Sequence, residues 1–96
     1  MPLANSNYRF SVTLTAKDSS AVRLLRTLGQ QWAGGPRPQF GWRGANEDDW
    51  LLNGGSIHLR FWTSERRASF LVEAKRFLPD QWSEVAQSDS DPVQQE

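Results

Sequence analysis

Over residues 8–16 apolar and polar side chains alternate strictly. Tyr8, Phe10, Val12 and Leu14 fall on one side, and Arg9, Ser11, Thr13 and Thr15 on the other. Period two with β-branched and aromatic residues predicts a half-buried strand. Residues 56–63 repeat the pattern, with Ile57, Leu59 and Phe61 opposed by His58, Arg60 and Trp62, which predicts a second such strand. In between, the period changes to that of a helix. Ala21, Leu25, Leu28 and Trp32 recur on one face with Val22 and Leu24 beside them, Asp18 offers an N-cap, and Gly34-Gly35-Pro36 supplies the stop.

A second helical period runs through Phe70, Leu71, Ala74, Phe77 and Leu78, with Thr63 or Ser64 available as its cap. Arg66 and Arg67 in its first turn oppose that reading, because the helix dipole disfavours cations there. A strand over 68–75 paired with 56–63 is the alternative; five matching apolar positions decide for a helix over 64–78. The remaining segments read from their punctuation. Residues 39–43 and 48–52 are expected as short strands, 44–47 as a turn, and Asn53-Gly54-Gly55 as the tight turn of a hairpin. Pro79 ends the helix or opens a short helical turn in which Trp82, Val85 and Ala86 dock on the body.

The predicted fold is therefore α+β: a two-layer β-α-β-β-β-α arrangement with an antiparallel sheet of about four strands and both helices on one face. Phe10, Phe40 or Trp42, and Phe61 are expected to meet Leu25, Leu28, Trp32, Leu71 and Leu78 in the core. One domain over 8–86 follows, with a frayed start over 1–7. From Gln87 the chain has almost nothing to bury, so 87–96 is expected as a disordered acidic tail. The other face of the sheet is left without a cover.

Composition narrows the functional classes. At 96 residues the chain has room for one small domain, and eleven aromatic residues supply its core. Apolar runs are too short to span a membrane. Residues 1–5 show neither a basic start nor an apolar stretch, so no signal peptide is expected. The absence of Cys excludes disulfides and thiolate chemistry and suits a reducing compartment, so a cytoplasmic location is expected. The formal charge is zero, but it is unevenly placed. Residues 1–78 hold all eleven bases and six of the eleven acids, a net of +5, which leaves 79–96 with a net of −5.

The candidate chemistry sits on the open face. Arg9, Arg43, His58, Arg60 and Trp62 are the expected partner-binding residues, since Arg and Trp are the types most enriched at protein interfaces. The preferred partner is another protein or a second copy of the chain. Single-stranded RNA or DNA is the alternative, through guanidinium and ring stacking on the same face. A small ligand held between the sheet and Trp32 or Trp50 is a third reading. Arg66 and Arg67 form a candidate anion site at a helix start, for phosphate or carboxylate; residues 80–91 of the chain's own acidic segment are another occupant for this basic surface.

No catalytic residue, metal site or cofactor is expected. Glu47-Asp48-Asp49 lacks the alternating spacing of a calcium loop. His58 is the only histidine and has no Cys beside it, and no phosphate-binding glycine loop occurs. The expected function is that of a non-catalytic binding module.

Overall fold

The computed structural model describes residues 9–34 and 46–90. These form a small α+β fold: β1 (Phe10–Ala16), α1 (Ser19–Ala33), α2 (Glu47–Leu52), β2 (Ser56–Phe61), α3 (Ser64–Phe77) and β3 (Trp82–Ser88). The sheet is antiparallel in the order β2-β1-β3, with the first strand in the middle. Because β2 and β3 both oppose β1, they run parallel to each other across it, and α3 joins them. This is a split β-α-β arrangement with β1 inserted at its centre.

The alternation of β1 and β2 is realised as expected. Val12, Leu14 and Ala16 of β1 and Ile57, Leu59 and Phe61 of β2 face the helices and are buried. The register sets Phe10 opposite Phe61, Val12 opposite Leu59 and Leu14 opposite Ile57, so each side of the sheet keeps one chemical character. Against this face α1 packs Ala21, Val22 and Leu25, while α3 packs Phe70 and Ala74. The Phe61 and Phe70 rings meet at 5.1 Å with a tilt of 38°, within the range favoured by aromatic pairs. Phe10, Leu28, Trp32 and Leu71 line the margin of this core rather than its centre.

Both long helices start where the sequence marks them. The Asp18 carboxylate accepts from the Ala21 N–H at 3.0 Å, and the Thr63 hydroxyl accepts from the Arg66 N–H at 3.1 Å; each satisfies a donor that the helix leaves unpaired. At the far end of α1, Gly34 has φ 74° and ψ −168°, a conformation essentially restricted to glycine.

Three expectations change. Residues 48–52 form the helix α2, not a strand. Asn46 and Asp49 build a reciprocal capping box, with the Asp49 N–H donating to Asn46 Oδ1 at 2.8 Å and the Asn46 N–H to Asp49 Oδ2 at 3.2 Å. The carboxylates of Glu47, Asp48 and Asp49 thus lie at the positive end of the helix. Asn53-Gly54-Gly55 still turns the chain, with φ of 66° and 96° at the two glycines, but it joins α2 to β2. Trp82, Val85 and Ala86 belong to strand β3 rather than a helical turn, and that strand extends through Gln87 and Ser88, past the boundary set for the tail. The expected strand over 39–43, and the segments 1–7 and 91–96, lie outside the described residues. Among the described residues, then, the sheet has three strands and not four.

What holds β3 is mostly backbone pairing with β1, plus an anchor at each end. Trp82 donates its indole N–H to Ala74 O of α3 at 3.1 Å. At the other end Arg67, 8% exposed, donates to Ser11 O at 3.2 Å, to Ser88 O at 2.8 Å and to the Asp89 carboxylate at 2.6 Å.

Candidate functional site

The sheet face turned away from the helices carries Ser11, Thr13 and Thr15 of β1. Opposite them stand Arg60, His58 and Ser56 of β2 on one side, and Ser88, Ala86 and Ser83 of β3 on the other. Thr13 Oγ1 and His58 Nδ1 share a hydrogen bond at 2.9 Å. They are direct cross-strand partners, so sheet register alone brings them together. A depression of about 330 Å³ beside them is lined by Thr13, Asn53, Ser56, Ile57 and His58. Its described lining thus sets a hydroxyl and an imidazole side by side.

The sequence-predicted residues divide. His58 and Arg60 lie on this face, half-buried. Arg9 is exposed just before β1; its Nε donates to Asp89 O at 3.0 Å and its guanidinium lies 4.6 Å from the Phe10 ring centre. Arg43 lies outside the described residues. Trp62 falls beyond the end of β2, half-buried, with its backbone N–H bonded to Ala33 O at 2.7 Å. It therefore sits where the chain turns from β2 into α3, and not at a strand position on the open face. Among the described strand positions of that face none is aromatic.

Arg66 and Arg67 are placed differently. Arg67 turns inward and directs its guanidinium to Ser11, Ser88 and Asp89. Arg66 is exposed and passes close to Gly34, where even a Cβ would come within 2.5 Å of its Nε. The carboxylate that meets Arg67 belongs to the acidic segment of the same chain, at 2.6 Å. Among the described residues, no group of three His, Cys, Asp or Glu side chains is placed to hold a metal ion. No helix among them is long and apolar enough to cross a membrane.

The other side of the molecule has a different character. On α1, Leu24, Leu28 and Trp32 follow one another at i, i+4 and i+8, a ridge along one flank of the helix. Two hollows lie between this ridge and α3. The first, about 300 Å³, is lined by Leu24, Thr27, Leu28, Phe77 and Leu78. The second, about 260 Å³, is lined by Trp32, Ala68, Ser69, Val72 and Glu73. The Leu24–Leu28 stretch of α1 thus lies against the end of α3 and Trp32 against its beginning, so the helices run antiparallel with the two hollows along the groove between them. In the first hollow Leu24 is 52% exposed and Phe77 60% exposed. In the second, the Trp32 indole N–H is buried without a hydrogen-bond partner among the described residues.

Leu24 adjoins the apolar face of α1, and Phe77 is one of the positions that mark the helical period of α3. Both lie at the edge of an apolar arc wider than the strip that the sheet covers. An arc wider than one contact face is the sequence signal for such exposed apolar positions.

Compared with known protein families, curated proteins and solved structures, the chain matches none.

Proposed function

We propose that the chain is a non-catalytic binding module that engages another protein through the groove between α1 and α3. The observation that supports this is the pair Leu24 and Phe77, which stay half-exposed while lining one apolar hollow of about 300 Å³. Scattered exposed apolar side chains are ordinary; apolar side chains that converge on a hollow mark contact sites. The hollow is at the low end of the size range for pockets that enclose small molecules, and a second hollow lies beside Trp32 further along the same helix pair. An elongated apolar groove between two helices suits the apolar face of a peptide or helix.

The sheet face, with hydroxyl groups, His58 and Arg60, is the rival surface, and substitution separates the two. A partner captured by a photoreactive residue at position 28, then purified, should bind the Leu24→Ser or Phe77→Ser variant at least about 2 kcal/mol more weakly, as anchor residues do. Arg60→Gln should change its affinity little. Both groove positions are half-exposed, so the circular dichroism spectrum should stay that of the parent. If Arg60→Gln weakens binding and the groove variants do not, the contact belongs to the sheet.

A further inference from the structure

We infer that the groove selects an apolar segment flanked by carboxylates; this rests on the reading of the groove as the contact site. On both helices an exposed arginine directly precedes the exposed apolar residue of the first hollow. On α1, exposed Arg23 precedes Leu24, and its backbone carbonyl accepts from the hydroxyl of Thr27, itself a lining residue, at 2.9 Å. On α3, Arg76 precedes Phe77; its side chain is 72% exposed and its guanidinium lies 5.4 Å from the Phe77 ring centre. Exposed Lys75 adjoins it. The carboxylates nearest in sequence on the α3 side are Glu73, 3.8 Å from Arg76, and Asp80, two residues beyond Leu78.

An apolar floor with an arginine next in sequence on each helix fits leucine or phenylalanine anchors with aspartate or glutamate on either side. Arginine is the cation suited to this, because its planar fork grips a carboxylate while its face rests on an aromatic ring. Arginines so placed also steer an acidic partner during encounter and oppose a basic one. A second copy docked groove to groove would set these arginines against one another, so the charge pattern favours a different, acidic chain.

Three synthetic amphipathic peptides test this with the full chain. All carry the same Leu and Phe residues at i, i+3, i+4 and i+7; the flanks are Glu/Asp, Gln/Asn or Lys. Fluorescence anisotropy at low and raised salt reads the binding. The acidic peptide should bind about fivefold or more tighter than its Gln/Asn counterpart, from two partly solvated charge pairs. Raised salt and the Arg23→Gln/Arg76→Gln variant should each remove that preference. Both arginines are outside the core, so the variant should keep the parent's circular dichroism spectrum. Equal binding of acidic and neutral peptides, lost together in Phe77→Ser, would overturn the charge selection and leave the groove standing. If none of the three binds, or Phe77→Ser has no effect on those that do, the groove itself is wrong and the inference goes with it.

Discussion

Gly29 lies on the buried face of α1, where a Cβ would come within 2.8 Å of Leu59 Cδ2. Two effects of a Gly29→Ala substitution compete. Alanine in a helix interior is favoured over glycine by about 1 kcal/mol. Forcing a methyl into a packed core costs about 1–3 kcal/mol, and Leu59 at 0% exposure has little freedom to move aside. Overpacking should win, and Gly29→Ala should lower the melting temperature. Combined with Leu59→Val, which makes room, it should cost less than the sum of the two single changes; strict additivity would show that the close approach is unimportant. Arg67 is the other residue whose role is decided by its contacts. Replacing it by Met leaves the carbonyls of Ser11 and Ser88 short of a donor, at a cost of about 2 kcal/mol, or roughly 10 °C for a domain of this size. Asp89→Asn should cost less than about 1 kcal/mol, because the Asp89 side chain is 68% exposed and water takes over its hydration. Equal losses from the two variants would mean that the ion pair, rather than the two carbonyl bonds, holds the strand.

At the level of elements, the strands that show their period are those with one buried face. β1 and β2 alternate because Val12, Leu14, Ile57 and Leu59 must all point to the helices. β3 does not: apart from Trp82 and Ser88 at its ends, every residue is exposed, so no hydrophobic pattern was imposed on it. Its strand character comes from backbone pairing with β1, from Trp82 on α3 and from Arg67, contacts that local pattern cannot reveal. The helix α2 was hidden differently. Its six residues are too short to display a helical period, and none of them is buried; only the Asn46-x-x-Asp49 cap marked it. The same facts predict how the sheet opens. Amides of β1 that pair with β2 should resist hydrogen exchange longest, and those of β3 should exchange sooner, since little apolar surface covers them. Equal protection of β2 and β3 would show that the two end anchors hold β3 as firmly as a core does. The candidate site was less legible than the fold. His58 and Arg60 face away from the helices as the alternation predicts, whereas Trp62 lies one residue past the end of β2, where alternation no longer fixes a side chain's face.

For the molecule as a whole, the two surfaces most suited to self-association carry charge that opposes it. Among the described residues β3 is a sheet edge, and an exposed edge invites pairing with another copy. Yet the segment 79–96 that contains it has five acids and no base, so antiparallel pairing of two copies would bring like charges together. The strand is also irregular, with the register shifting between Thr13 and Leu14, and a bulge makes a poor template for a continuing sheet. On the proposed reading of the groove, Arg23 and Arg76 would oppose a second copy docked there. The expected state is therefore a monomer at low ionic strength, measurable by size-exclusion chromatography with light scattering. A stable dimer at low salt would overturn this and return self-association to the first rank of functional readings. Growth into larger species that added salt dissolves would overturn it differently, by joining the acidic edge of one copy to the basic groove of the next. That contact does not close on itself and would build open chains. A monomer that remains so as salt is raised would mean that neither edge nor groove recognises its own kind even when repulsion is screened, which leaves the groove available to a chain of different sequence.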